Sequence, residues 1–148
     1  MFKIIPLSIF FILIFNNVFA FEQYFLTLRN DKVNLRQGPS FEYPIKLHYK
    51  KKFLPVLIQD EFENFRKIRD HENNTGWIHI SQLSKKKAAI TNDDDQLIFN
   101  KPSIYSKPLA ILKKGRLCKI HKCKNEWCKV SVEKYKGWVK KKFLWGLI

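Results

Sequence analysis

"GWIHISQL", residues 76–83, returns 61 positions later as "GWVKKKFL", residues 137–144. Moving outward from this pair, "NFRKI" (Asn64–Ile68) falls on "EWCKV" (Glu126–Val130) and "LPVLI" (Leu54–Ile58) on "RLCKI" (Arg116–Ile120), both at an offset of 62. Further upstream "VNLRQGP" falls on "LIFNKP" after a loop adjustment. Four matches in one order, reconciled by short deletions in turns, make an internal duplication the simplest reading.

Within each copy the segments are short and rich in β-branched and aromatic residues. Turn formers such as "QGPS", "HENNTG" and "EKYKG" separate them, and no helical period is sustained. That pattern predicts small all-β units. The acidic run "TNDDDQ" (Thr91–Gln96) is the natural division, which gives a first unit at 21–90 and a second at 91–148.

The first twenty residues read as an export signal. Lys3 precedes an apolar run from Ile4 to Phe15, and Val18 and Ala20 stand where a signal peptidase reads small side chains, so the expected mature chain begins at Phe21. The run is shorter than the roughly twenty apolar residues of a membrane span. An anchor or a buried first strand are the alternatives. No cysteine precedes Cys118, so none stands near the cleavage site to take a lipid.

The chain carries a formal charge of +15, which in the cytosol would point to nucleic acid. Export removes that partner and leaves envelope anions. Weak, salt-dependent attraction to an anionic membrane surface is the consequence. Abundant Lys, Asn, Ile and Phe also follow from an A/T-rich coding sequence, so the charge permits binding without specifying it or the oligomeric state.

All three cysteines lie in "CKIHKCKNEWCKV" (Cys118–Val130). At the offset of 62, Cys118 falls on Val56, His121 on Gln59, Cys123 on Glu61 and Cys128 on Arg66. Positions 61 and 66 flank "FENF" and positions 123 and 128 flank "KNEW", each read as a four-residue hairpin turn, and directly opposed residues there have Cβ atoms about 5 Å apart, near disulfide geometry. The expectation is a Cys123–Cys128 disulfide in an oxidising compartment, a Glu61–Arg66 charge pair in the other copy, and a buried thiol at Cys118. The alternatives are a zinc site using Cys118, His121, Cys123 and Cys128, a redox pair, or pairing of Cys118 with another chain. No metal or cofactor is expected.

Alternation in "GWIHIS" puts Ile78 and Ile80 on one face and Trp77 and His79 on the other. The latter pair would lie near the loop bearing Arg36, Gly38, Pro39 and Tyr43. Arg36, Tyr43, Trp77 and His79 are therefore the candidate ligand groove, suited to a peptide or a carboxylate. The competing reading makes the tryptophan a lid on the core and Gly38-Pro39 a turn. Phe65 and Ile68 have opposite parity, so their strand serves two faces or contains a bulge, and Arg69 and Asp70 read as a local ion pair. In "KGWVKKKFLWG" (Lys136–Gly146) the aromatics answer to core positions of the first copy and the lysines to a solvated face.

With "NLRQGPSFEYPI", "FENFRKIRD" and "GWIHISQLS" followed by "CKNEWCKV" and "YKGWVKKKFLWG", the chain resembles the bacterial Src-homology-3-like domains of exported proteins, in a tandem form known from Gram-negative bacteria. The resemblance implies a five- or six-stranded SH3-like barrel per copy and a binding role toward cell-wall peptides or envelope proteins, with no catalytic residue. Two departures stand out: Phe65 replaces the usual Trp, and "FNKPSIY" replaces the Arg-x-Gly-Pro turn, so only the first copy should read a ligand through that turn. Three functions compete: an exported, periplasmic or secreted binding module; a structural periplasmic adaptor without a small ligand; and a Cys/His hydrolase.

Overall fold

The computed structural model describes residues 19–148, so the expected signal peptide at 1–20 lies almost wholly outside the described residues. The first copy contains β1 (Tyr24–Leu28), β2 (Val33–Arg36), β3 (Ile45–Tyr49), β4 (Pro55–Phe62), β5 (Phe65–Arg69), β6 (Thr75–His79) and β7 (Leu83–Ser84). The second contains β8 (Ala88–Thr91), β9 (Gln96–Phe99), β10 (Pro108–Leu112), β11 (Leu117–Lys124), β12 (Trp127–Val132), β13 (Tyr135–Lys140) and β14 (Leu144–Trp145). One sheet runs β3-β2-β6-β5-β4-β1-β7 and the other β10-β9-β13-β12-β11-β8-β14, the same order strand for strand. Each copy thus has seven strands rather than five or six. The last, after a single 3-10 turn (Ile80–Gln82 or Lys141–Phe143), is only two residues long.

The all-β duplication holds in detail. Leu28, Val33, Leu35, Val56, Ile58, Ile68 and Ile78 are sealed in the first core; Ala89, Ile98, Cys118, Cys128, Val130 and Val139 are sealed in the second. The recurrent Gly-Trp has a steric cause. A Cβ on Gly76 would sit 2.7 Å from the Arg36 carbonyl oxygen, and one on Gly137 2.5 Å from that of Phe99, so the close crossing of β2 by β6, and of β9 by β13, admits only glycine.

The acidic run does not separate the sheets. It forms the connection between β8 and β9, and the second sheet begins at Ala88, three residues ahead of the expected boundary. All four β8 residues are buried because they lie between two cores: Ala89 packs into the second and Ile90 into the first. The joint continues through Phe25 against Trp145, with ring centroids 4.9 Å apart, and through the Ile120 N–H, which donates to the Lys87 carbonyl at 3.0 Å.

The parity conflict in β5 resolves without a bulge in that strand. Phe65 to Arg69 pair continuously with β6, and the register shift lies on β4, at Gln59. Its counterpart on β11 falls at His121. Directly opposed residues share a face, so Ile68 and Gly76 face the core while Phe65, Lys67, Trp77 and His79 face outward.

Asp70 does not pair with Arg69. It is 2% exposed and accepts from the Tyr49 hydroxyl at 2.9 Å, the Glu72 and Asn74 backbone N–H groups at 2.9 and 2.8 Å, and Asn74 Nδ2 at 2.8 Å. Arg69 donates instead to Asn73 Oδ1.

Candidate functional site

The outward face of the first barrel is built from β2, β5, β6 and the loop between β2 and β3. Arg36 lies directly across from Trp77, Lys67 is the other cross-strand neighbour of Trp77, and Phe65 opposes His79. Trp77 and His79 are half-buried, as is Arg36. The Arg36 guanidinium reaches into the loop, where Nη1 donates to the carbonyl oxygens of Phe41 at 3.1 Å and Tyr43 at 2.9 Å, and its carbon stands 5.3 Å from the Phe41 ring centroid. Arg36 is therefore first a brace that holds the loop against the sheet. Among the described residues its Nε and Nη2 donors have no hydrogen-bond partner.

Phe41, which is not one of the four candidate groove residues, is the hub. The residue is 58% exposed, and its ring centroid stands 5.2 Å from that of Phe65 and 5.1 Å from that of His79, which are themselves 5.1 Å apart. The signal was present in "SFEY", where an aromatic in a tight polar loop cannot reach the core. Tyr43 joins through its carbonyl and lays its ring on Gly38. His79 Nδ1 accepts the Ser81 N–H at 3.2 Å and lies 2.8 Å from Ser81 Oγ, so in the neutral ring the proton sits on Nε2.

The loop itself recurs in the second copy. Gln37 N–H to Pro44 O is matched by Asn100 N–H to Lys107 O, and Glu42 N–H to Ser40 Oγ by Tyr105 N–H to Ser103 Oγ. The "FNKPSIY" segment thus keeps the turn without the Arg-x-Gly-Pro sequence. What changes is the furniture: Phe99 replaces Arg36, Lys101 replaces Gly38, and Ser106 replaces Tyr43. The second outer face is packed by Phe99 against Trp127 at 5.6 Å, with Trp138 only 8% exposed and Lys122 and Lys140 over the two indoles.

The cysteines divide as expected. Cys123 and Cys128 are register partners with Cα atoms 4.0 Å apart and are joined as a disulfide. In the first copy the same two positions hold the Glu61–Arg66 ion pair, at 3.3 Å, and the Tyr24 hydroxyl donates to Glu61 at 2.7 Å. Both hairpins turn on two residues rather than four, Glu63-Asn64 and Asn125-Glu126, because Phe62 pairs with Phe65 and Lys124 with Trp127, and the first residue of each turn is in the left-handed region. The disulfide removes two of the four thiol and imidazole ligands that a zinc site would need. Cys118 is fully buried, and burial pushes its thiol up to about 12, the reverse of an activated nucleophile. His121 is engaged by Ser131 Oγ on the neighbouring strand.

Comparison with curated proteins gives no match. Among solved structures, those titled as NlpC2 and NlpC1 from Trichomonas vaginalis are each 14% identical, with TM-scores of 0.38 and 0.37. The alignments cover 83% of this chain and 48% and 45% of those chains, so this chain spans about half their length. The bacterial SH3 domain family matches twice, at residues 29–85 and 92–146, one match for each seven-stranded sheet. The chain belongs to the bacterial SH3 domain family and carries that domain in tandem.

Proposed function

We propose that the chain is a non-catalytic, exported binding module whose first barrel recognises a cell-wall peptide or an envelope protein through the outward face formed by Arg36, Phe41, Tyr43, Trp77 and His79. One observation carries the reading: Phe41 and Tyr43 are 58% and 47% exposed on a loop braced by Arg36, beside a half-buried Trp77. Aromatic rings offer apolar area, and the remaining guanidinium donors suit a peptide carboxylate. The second barrel fills the same face with its own indoles and aliphatic lysine stems, which supports a ligand-reading first copy and a scaffolding second one. Residence outside the cytoplasm is supported by the disulfide, which persists in oxidising compartments, and by the family. A binding role is compatible with the buried Cys118, which has no exposure through which to attack a substrate.

The test is retention on purified cell-wall sacculi at moderate salt. Wild type is retained, and Trp77→Ala is not, while its far-ultraviolet spectrum and unfolding midpoint stay close to wild type. Equal retention of the two proteins removes the site. Absence of retention for wild type, together with capture of a single envelope protein, moves the assignment to the protein partner.

A further inference from the structure

Phe53 is in the left-handed region, with φ at 65°, which bulky side chains rarely adopt. The equivalent residue of the second copy is Gly115, with φ at 80°, and the two N–H groups make equivalent bonds to Leu28 O and Thr91 O at 2.9 Å. The backbone therefore calls for glycine at this turn, and the first copy keeps a phenylalanine at a conformational cost. Strain of this kind persists where the side chain serves a purpose.

That side chain gathers cations. Lys52 Nζ, Lys86 Nζ and Lys119 Nζ stand 5.2, 5.6 and 4.8 Å from the Phe53 ring centroid. They come from the first barrel, the connection between the barrels and the second barrel respectively, and all three residues are exposed. The ring attracts each ammonium, yet the three repel one another, and among the described residues none has a carboxylate within ion-pair distance. Of the three, Lys119 also lines a cavity of about 320 Å³, together with Lys51, Arg116 and Ser131, and the one acid of that cavity, Glu133, is held by Arg116 at 3.1 Å. The uncompensated charge faces outward and calls for a multiply charged anion. Phosphate fits better than carboxylate, because each group carries up to about two negative charges and lysine engages it as a point charge.

We propose that Lys52, Lys86 and Lys119, gathered on the Phe53 ring where the two barrels meet, form a binding site for a ligand carrying two neighbouring phosphates. The site exists only in the tandem, since each barrel supplies one of the lysines. It is independent of the outward aromatic face.

Isothermal titration of the full chain with inorganic pyrophosphate at low salt tests it. The Lys52→Gln/Lys86→Gln/Lys119→Gln variant binds about tenfold more weakly, as expected for the loss of several exposed charge contacts. Lys32→Gln/Lys107→Gln/Lys136→Gln, which removes equal charge elsewhere, changes affinity less than about twofold. Phe53→Gly, which relaxes the turn and keeps the fold, weakens binding as the first triple variant does. No binding by wild type, equal losses in the two triple variants, or unchanged binding in Phe53→Gly overturns the proposal. A parallel arm adds vesicles of cardiolipin in phosphatidylcholine. Displacement of pyrophosphate by the vesicles, with the same dependence on Phe53, assigns the phosphates to a lipid headgroup. Pyrophosphate binding untouched by the vesicles, with that dependence kept, assigns them to a soluble phosphorylated molecule.

Discussion

Tyr43 lies over Gly38 so closely that a Cβ added to the glycine would meet ring carbons at 2.6 Å. In the second barrel the same two positions are Lys101 and Ser106, and the loop keeps its hydrogen bonds. Glycine is thus required by the ring and not by the backbone, since Gly38 is not among the residues with positive φ. Gly38→Ala should cost about 1–3 kcal/mol as an overpacked contact or expel the ring from the face. Tyr43→Ser in the same chain should restore the loss. Urea unfolding of the two single variants and the double variant measures the coupling, and additive effects would deny the contact.

The hairpin clasp differs in chemistry between the copies and should differ in strength. Cys123→Ala/Cys128→Ala should destabilise the second barrel by about 2 kcal/mol, the scale for closing so short a loop. Replacing Glu61 by Gln should cost well under 1 kcal/mol, because that pair is partly exposed. Intact-mass analysis after alkylation of unfolded protein should show one label without reductant and three with it.

Burial gives stability a dependence on alkaline pH. The Cys118 thiol has a folded value raised from 9.0 to about 12 by burial, so the folded chain holds this proton more tightly than the unfolded one. The resulting stability is fully present below pH 9 and is lost as the pH rises from 9 toward 12. Tyr49, raised by burial and then by Asp70, adds a loss that begins above its ordinary value of 10.0. Cys118→Val, the residue found at the equivalent position 56, should remove the part of the decline that begins near pH 9 and leave the later one. Denaturant midpoints taken across this range check both components.

Asp70 is the buried hub of the turn between β5 and β6. Tyr49→Phe should cost about 1.5–3 kcal/mol, the worth of one hydrogen bond to a charged acceptor. Asp70→Ala should cost more, because it strands the Tyr49 hydroxyl and two backbone N–H groups together. Thermal unfolding of the two variants ranks them, and a milder effect for Asp70→Ala would contradict the role.

The legible parts of the fold were those written twice. Gly76 and Gly137 recur because both strand crossings exclude a Cβ, and the hairpin positions 61/66 and 123/128 recur because register is fixed by two-residue turns. The first strand of the second barrel was hidden. Ala88 to Thr91 are buried on every side between two cores, so no alternation marks them as a strand. Arg69 and Asp70 looked like a local pair because nothing in the sequence brings Tyr49 to Asp70 from 21 residues away. At the candidate site, Trp77 and His79 were legible from strand parity and Arg36 and Tyr43 from the loop beside them, although Arg36 itself ends β2. Phe41 left in "SFEY" only the signal of an exposed aromatic, since its place among Phe65 and His79 depends on how Arg36 draws the loop onto the sheet.

The central claim, that the braced aromatic face of the first barrel reads a peptide, is tested most directly by amide NMR spectra of the chain titrated with soluble peptide fragments released from cell walls. Shifts should concentrate at Arg36, Phe41, Tyr43, Phe65, Trp77 and His79, with the equivalent loop 100–107 unmoved. Shifts confined to the second barrel, or spread evenly over exposed lysines, would contradict it.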